Sequence, residues 1–281
     1  MFAVRVFLHN PIGIAVGEAT SLLYPRNGKD WVEVTQFQIV LPRLGAAFDG
    51  YRLIQISDFH FGTWLGSPQL EHAIDLVNQQ QPDLVAITGD FVSYHPERYY
   101  DDLLHALSRI QSKDGVVAIL GNHDHWSDPL LIRQLLEQAG ILDLSNSLYT
   151  LIRGNDSLHL CGVDDYMTAN DHLGKVLSQL PDQGAAILLA HEPDFADVSA
   201  STGRFDLQIS GHSHGGQVVL PWLGSPFLPG YARKYPSGFY QVNGMSLYTN
   251  RGLGTAEFQV RLNCRPEITA FTLHPVKSKT E

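Results

Sequence analysis

Short runs of Val, Ile, Leu and Ala alternate with amphipathic segments over much of the chain. Apolar runs of this length, bounded by Gly, Pro or Asp, predict buried β-strands. They occupy residues 51–56, 84–88, 116–120, 186–190 and 205–209. Between the early runs, apolar residues at helical spacing predict helices over residues 103–110 and 128–140. Another helix is predicted to begin at Ser67 and Pro68, since Pro is favoured in the first helical turn.

The remaining segments predict further strands. Loose alternation of apolar and polar residues over residues 31–41 predicts a strand. A Gly-Asn-Asp turn at residues 154–156 predicts that the two strands beside it form a hairpin. After Gly216 the chain is predicted to be mostly β-structure, at residues 217–220, 239–242, 246–249 and 268–273. Strands that alternate with helices and are followed by more strands predict an α/β fold with two mixed sheets and outer helices.

The whole chain, residues 1–281, is expected to form one domain with its core at about 51–273 and an extension over residues 1–30. A length of 281 residues with 44% hydrophobic content is sufficient for one large core. The net charge of -10 argues against a nucleic-acid surface, which would be basic. Cys161 and Cys264 are too few for a disulfide framework and are predicted to be buried thiols.

The first two dozen residues are mildly apolar, but charged residues and Pro11 interrupt them. Their apolar stretches are too short for a membrane-spanning helix. Two alternatives stay open: the segment packs on the domain as a strand or helix, or it lies along a membrane surface.

Each of the five predicted buried strands is followed by side chains of the types that commonly bind metal ions. These are Asp58 and His60, then Asp90, then Asn122 and His123, then His191, and finally His212 and His214. Sites in open α/β sheets form at the carboxyl ends of strands, and side chains two apart on an extended strand share a face. Oxygen and nitrogen donors without thiolate suit Mn, Fe, Zn or Ni. One tetrahedral ion takes only four ligands, and more candidate ligands than that are present, so the sequence predicts two ions.

In order and spacing, these residues resemble the calcineurin-like metallophosphoesterase family over roughly residues 51–215. The matching motifs are Asp58-Phe59-His60, Gly89-Asp90, Gly121-Asn122-His123-Asp124, His191, and Gly211-His212-Ser213-His214. The tail, with Arg251-Gly252-Leu253-Gly254 and Arg265-Pro266-Glu267-Ile268, resembles a bacterial phosphodiesterase subgroup. That subgroup is often membrane-associated and includes proteins that act on UDP-diacylglucosamine.

The resemblance implies a four-layer α-β-β-α sandwich and two divalent metal ions that share Asp90. One metal would take Asp58, His60, Asp90 and His214, and the other Asp90, Asn122, His191 and His212. His123 would not ligate but would act as general acid beside the leaving oxygen. The expected reaction is hydrolysis of a phosphodiester or pyrophosphate by a hydroxide that bridges the ions.

One position departs from the phosphoprotein-phosphatase branch of this family. In that branch an Asp three residues after the bridging Asp orients the catalytic His, and an Arg follows it. Here that position is Ser93 and no Arg follows, so protein phosphatase activity is not expected. Asp124 is a candidate to orient His123. Candidates for holding the substrate phosphate are Arg233, Arg251 and Arg261, of which we favour the first two.

Residues 221–236 are rich in Pro and Gly and predict a long loop. Its apolar members are Trp222, Leu223, Phe227, Leu228, Tyr231 and Tyr235. The loop is either simply packed or forms an apolar wall beside the metals, with a basic end at Arg233 and Lys234. A wall would suit a small phosphate ester that is lipid-linked. The resemblance implies a substrate such as UDP-diacylglucosamine and a bacterial protein in the cytoplasm or peripheral to the membrane. A phosphomonoesterase or nucleotidase, and a non-catalytic metal-binding scaffold, are the alternatives.

Overall fold

The computed structural model describes residues 31–276. Two six-stranded sheets pack face to face, and helices cover the outer face of each. This arrangement confirms the predicted four-layer α-β-β-α sandwich with two mixed sheets. The N-terminal extension, residues 1–30, lies outside the described residues.

The first sheet contains strands from both ends of the described chain. Its strands are β1 (Glu33–Leu41), β2 (Tyr51–Ile56), β3 (Leu84–Thr88), β4 (Val116–Ile119), β5 (Leu142–Asp143) and β12 (Glu267–Pro275). Their order is β1-β12-β2-β3-β4-β5. Strands β2 to β5 run parallel, while β12 is antiparallel to β2 and parallel to β1. The last strand of the chain therefore lies between the first two.

The second sheet is built from the middle of the chain. Its strands are β6 (Ser147–Arg153), β7 (Asp156–Gly162), β8 (Ala185–Leu189), β9 (Leu207–Ser210), β10 (Gly238–Val242) and β11 (Met245–Thr249). Their order is β10-β11-β9-β8-β7-β6. The four inner strands are parallel and each edge pair is antiparallel, as the predicted β6–β7 hairpin requires.

The helices that cover the outer faces of the sheets do so because each buries an apolar side. The helices are α1 (Ser67–Gln79), α2 (Pro96–Leu107), α3 (Asn122–Ser127), α4 (Pro129–Gln138), α5 (Leu173–Gln179) and α6 (Ala196–Ser201). In α1 the buried residues Leu70, Ala73, Ile74 and Val77 follow the three-to-four spacing of a helix that packs on a sheet. Helices α1, α2 and α4 pack on the first sheet, and α5 and α6 pack on the second.

Side chains from both inner faces form the core between the sheets, including Leu53, Ile119, Ile187 and Phe271. Gln55, on β2, is one of several buried polar residues on the strands of the two sheets. Gln55 donates from Nε2 to Thr88 Oγ1 at 3.0 Å and to the Ser210 carbonyl at 2.9 Å. Because Ser210 ends β9, this side chain links the two sheets at the strand ends that lead into the candidate site.

The strand predicted over residues 217–220 is wrong. Only isolated bridges form there, between Val218 and Leu262 and between Leu220 and Gly224. The backbone of Gln217 has a φ of 56°, which is left-handed and incompatible with a regular strand. The short helix α3 was not predicted, although it begins at Asn122. Both cysteines are free and buried, as predicted.

Candidate metal centre

The metal-binding side chains predicted from the sequence come together where the two sheets meet. Within the described residues they form three overlapping groups, each with all ligand atoms within 4.8 Å of one another. The groups are Asp58 with His60 and His214, Asp90 with His191 and His212, and His60 with Asp90 and His123. The first group joins loops that follow β2 and β9, so both sheets contribute.

The distances within these groups fit the coordination shells of two cations. Asp90 Oδ2 lies 3.3 Å from His60 Nε2 and 3.2 Å from His191 Nε2. The Nε2 atoms of His60 and His214 are 3.0 Å apart. Ligands at about 2.1 Å from one metal ion lie roughly 3–3.5 Å from each other. Asp90 Oδ2 belongs to both sets of contacts, which is the position of a bridging carboxylate.

Two of the imidazoles are oriented by carbonyl oxygens behind them. His191 Nδ1 donates to the Thr88 carbonyl at 2.7 Å, and His212 Nε2 donates to the Gly230 carbonyl at 2.8 Å. A nitrogen that donates to a carbonyl carries the proton, so the lone pair of a neutral ring is on the other nitrogen. His212 Nδ1 therefore presents a lone pair to the cluster, 3.3 Å from His191 Nε2. Burial lowers the pKa of His191, but Asp90 outweighs burial and holds it well above its usual range, so Nε2 must lose a proton before it can bind a metal.

Asn122 provides a separate indication of a cation. Its side-chain oxygen Oδ1 is buried and has no hydrogen-bond partner among the described residues. A buried polar atom without a partner costs about 1–3 kcal/mol. Asn122 lines the same cavity as Asp90 and His212, and a cation bound there would satisfy this oxygen. The donor set therefore fits two divalent metal ions.

The backbone that presents these side chains is strained. Five of the candidate ligands have left-handed φ angles between 42° and 66°, namely Asp58, His60, Asp90, His212 and His214. Such a conformation costs on the order of 1–3 kcal/mol for a residue other than Gly, and it concentrates at functional sites. The extended geometry predicted for Asp58 with His60, and for His212 with His214, is wrong. Left-handed turns bring Asp58 and His60 into one group, whereas His212 and His214 fall into different groups.

Gly121 is required beside the cluster because backbone and ligands approach closely there. A Cβ atom at this position would collide with Asp90 Oδ1 and would lie 2.7 Å from His191 Nε2. Gly89 faces the same crowding, since its Cβ would lie 2.7 Å from His191 Nδ1 and from the Gly121 nitrogen. These glycines allow the ends of β3 and β4 to pack directly against a ligand ring.

The electrostatics of the cluster set the charge state of its members. Burial alone would raise the pKa of Asp90, but the neighbouring His191 and His123 hold it well below its usual range. Burial, together with the charge of His191, lowers the pKa of His212 to about 4. Asp58 differs, because burial raises its pKa. Asp90 is thus ionised and His212 is neutral, which are the states in which these groups bind metals.

His123 lies at the edge of the cluster and faces the cavity. Its backbone N–H donates to Asp90 Oδ1 at 2.9 Å, and its ring centroid is 4.6 Å from that of His60. The ring atom Nδ1 is buried without a partner. Burial lowers the pKa of His123 to about 4, with the charge of Asp90 opposing the shift. A general acid at this position therefore needs an anion, such as a substrate phosphate, close enough to raise that pKa.

Asp124 does not have the role suggested by the sequence. Its carboxylate accepts hydrogen bonds from the backbone N–H groups of Asp90 at 2.9 Å, Phe91 at 2.9 Å and Gly121 at 3.0 Å. It therefore ties the loop after β3 to the start of α3. Asp124 shapes the turn that carries the bridging carboxylate, and it does not orient His123.

Ser93 occupies the position that departs from the phosphoprotein-phosphatase pattern, and it contacts two site residues. Its Oγ lies 2.7 Å from His60 Nδ1, and its backbone makes a hydrogen bond with His123. The hydroxyl can accept the Nδ1 proton and so direct His60 Nε2 toward the cluster. Sequence reasoning missed this role because a serine hydroxyl carries no distinctive signal.

We expect Ser93→Ala to weaken metal binding by about 10- to 100-fold, because outer hydrogen bonds to a metal-binding His have effects of that size. Competition with a chelator measures the affinity. Ser199→Ala is the matched control, since Ser199 is also a buried serine but donates to Gln208 Oε1 at 2.5 Å in the second sheet's outer layer. Equal affinity in wild-type protein and Ser93→Ala would contradict a positioning role for this hydroxyl.

A cavity of about 490 Å³ opens over Asp90, Asn122 and His123. One wall is apolar and consists mainly of Trp126, Val218, Phe227, Leu228 and Phe258. Of the three arginines considered as phosphate ligands, only Arg233 lines this cavity.

The other two arginines have different partners. Arg251 is ion-paired with Glu33 Oε2 at 2.8 Å and with Glu267 Oε2 at 3.0 Å. Arg261 is buried against main-chain carbonyl groups. Neither side chain lines the cavity. A substrate contact by Arg251 stays a prediction, and this geometry does not favour it.

Two packed sheets with clustered nitrogen and oxygen ligands around one shared carboxylate define a metal-dependent hydrolase. Sequence comparison agrees: the chain belongs to the calcineurin-like phosphoesterase family, which it matches over residues 51–216. The predictions of family and enzyme class are confirmed. The protein is a metallophosphoesterase.

Two bacterial relatives of similar length support this assignment. The chain is 34% identical over 246 residues to the uncharacterized metallophosphoesterase YkuE of Bacillus subtilis, covering 86% of this chain and 85% of that protein. It is 29% identical over 247 residues to the phosphodiesterase YaeI of Escherichia coli, covering 86% and 88%. A solved archaeal phosphodiesterase aligns with a TM-score of 0.41 at 14% identity, over 72% of this chain and 84% of the other.

None of the helices within residues 31–276 has the length and apolar character that a membrane crossing requires.

Proposed function

We propose that the protein hydrolyses a phosphodiester or pyrophosphate in which one arm is apolar, that is, a lipid-linked substrate such as UDP-diacylglucosamine. The observation that carries this proposal is the cavity, because it combines the candidate metal cluster with an apolar wall. Phosphate would lie against the cluster and Arg233, and the apolar arm would lie along the wall. Ligand sites generally combine apolar walls with a few polar groups that fix orientation.

Exposure of the wall supports this proposal. Phe227 is 68% exposed and Trp126 is 55% exposed, although both line the cavity. Large apolar side chains that cluster at the surface usually mark a binding site. Arg233 supplies a guanidinium at the same cavity, and guanidinium groups bind phosphate through paired hydrogen bonds.

The ligand assignment is part of the proposal. One divalent cation (Mn, Fe, Zn or Ni) would be held by Asp58, His60, Asp90 and His214, and a second by Asp90, Asn122, His191 and His212. Such a pair of cations supplies positive charge for the phosphate oxygens and lowers the pKa of water. His123, held by Asp90 and the Ser93 backbone, donates a proton to the leaving oxygen.

We also propose that the protein acts at the surface of a bacterial membrane. The loop over residues 221–236 contributes Phe227 and Leu228 to the apolar wall and begins with Trp222 and Leu223, both strongly exposed. Tryptophan is favoured at the boundary between lipid and water. An enzyme that binds one end of a lipid needs access to the bilayer, and this loop carries both exposed apolar side chains and residues that line the cavity.

A hydrolysis panel with added Mn²⁺ tests the substrate class. It contains a bis-aryl phosphate, a mono-aryl phosphate, a soluble pyrophosphate diester and the same diester carrying acyl chains. We expect the diesters to react faster than the monoester, and the acylated diester to have the highest kcat/KM. A faster monoester would favour a phosphomonoesterase or nucleotidase, and equal rates for soluble and acylated diesters would contradict a lipid-linked substrate.

Phe227→Ser is expected to raise KM for the acylated diester about tenfold, since burying a Phe side chain is worth about 1.5–3 kcal/mol and part of that area would contact the chain. The bis-aryl phosphate should be hydrolysed at the wild-type rate. Phe239→Ser is the control, because Phe239 is an exposed aromatic residue on β10 that does not line the cavity. Loss of activity on both substrates would mean that Phe227 has only a structural role.

A further inference from the structure

Arg261 is a buried cation whose role the proposed reaction leaves unexplained. Its side chain is 3% exposed. Its hydrogen bonds go to main-chain carbonyl oxygens: from Nη2 to Gly254 at 2.6 Å and Arg251 at 2.7 Å, and from Nε to Gly254 at 2.9 Å. Burying a guanidinium is costly unless its donors are satisfied. The arrangement therefore fixes the shape of the Arg251–Gly254 segment.

That segment packs directly on the backbone of a candidate metal ligand. Leu253 N–H donates to the Ser57 carbonyl at 2.9 Å, and Gly254 N–H donates to the Asp58 carbonyl at 2.7 Å. At Gly252, a Cβ atom would lie 2.6 Å from Asp58 Cβ. The left-handed backbone of Asp58 is thus held from one side by a loop that Arg261 closes.

The same guanidinium also touches a second ligand of the same group. Arg261 Nη2 lies 3.3 Å from His214 Nδ1. Cys264, three residues further on, donates from Sγ to the His214 carbonyl at 3.1 Å. Arg261 therefore lies between the segments that carry Asp58 and His214, which group together with His60.

We propose that Arg261 is a positioning residue that holds Asp58 and His214 at the spacing one cation requires. The segment from Arg251 to Cys264 lies beyond residues 51–216, which match the family, so this support comes from outside the family's shared motifs. The proposal rests on the assignment of Asp58, His60 and His214 to one cation. Lysine cannot replace the residue, because a single ammonium does not reproduce the planar fork that reaches several carbonyl groups.

Titration of metal-free protein with Mn²⁺, followed by calorimetry and metal analysis, tests the proposal. Wild-type protein should bind two ions. Arg261→Met should retain one site at wild-type affinity and weaken the other by at least about tenfold, the size of effect seen for groups that orient ligands. Arg261→Lys should show the same selective loss, and thermal unfolding checks that each variant is folded.

Arg204→Met is the matched control. Arg204 also donates to carbonyl oxygens, from Nε to Pro181 at 3.0 Å and from Nη2 to Gln183 at 3.3 Å, but it contacts no candidate ligand. Its loss should lower the melting temperature and leave both metal affinities unchanged. If Arg261→Met does not fold, the ratio of the two affinities in Arg261→Lys decides the question.

Two results would overturn the proposal: wild-type affinities at both sites in the folded Arg261 variants, or an equal weakening of both sites. Failure of wild-type protein to bind two ions would instead refute the metal assignment itself. The two failures are therefore distinguishable.

Discussion

Asp90→Asn is expected to abolish metal loading and turnover together. Asp90 Oδ2 contacts both His60 and His191, so its carboxylate is the element that the two halves of the cluster share. An amide removes the negative charge and one of the two ligating oxygens. Bound metal ions stabilise the charge of the transition state by several kcal/mol, so their loss should lower kcat at least about a thousandfold.

Metal analysis of the purified variant and the rate on a bis-aryl phosphate check this expectation. Asp206→Asn is a suitable control, because Asp206 is also a buried carboxylate but pairs with Arg43 at 3.1 Å, before β9 begins. The control should lose stability and keep both metals. An Asp90→Asn protein that retains two metals and wild-type activity would rule out a bridging role.

His123→Ala should leave the metals bound and slow the reaction according to the leaving group. General acid catalysis contributes about 10²- to 10⁴-fold, so substrates with an alkoxide leaving group should slow by that factor. Substrates with a nitrophenolate leaving group need little protonation and should react at close to the wild-type rate. The unpartnered Nδ1 of His123 at the cavity is the structural basis for this expectation.

A series of diesters with leaving groups of increasing pKa measures the effect. The slope of log kcat/KM against leaving-group pKa should become steeper in His123→Ala. Metal analysis of the same protein separates this role from ligation, because His123 also groups geometrically with His60 and Asp90. Loss of metal from His123→Ala would identify it as a ligand and not as an acid.

The sequence predicted the layers and the cluster for one physical reason. Apolar runs need burial, and the polar residues that end them need partners, so both signals are local and strong. The runs before Asp58, Asp90 and Asn122 became β2, β3 and β4, and the side chains after them converge. Family resemblance supplied two expectations that patterns do not carry, namely that both metal ions share Asp90 and that His123 acts as an acid and not as a ligand.

Other features were out of reach because they depend on single distant contacts. The left-handed turns at Asp58 and His212 were not predicted, because Asp and His adopt positive φ angles more often than most residues but still only rarely. Ser93 and Arg261 act through one hydroxyl and one guanidinium on residues far away in the chain. The wrong strand at residues 217–220 had the right apolar content, but turns at Gly216 and Gln217 redirect it.

The place of β12 in the first sheet bears on how the protein is made. Its register pairs Glu267 with Glu33 on one side and Phe271 with Leu53 on the other. β1 and β2 leave the ribosome before the other described strands, and their shared neighbour β12 leaves it after all of them. In that interval both strands carry open edges that other nascent chains can pair with. Closure of this sheet, and with it the Asp58 turn that follows β2, therefore waits until every other described strand has been made.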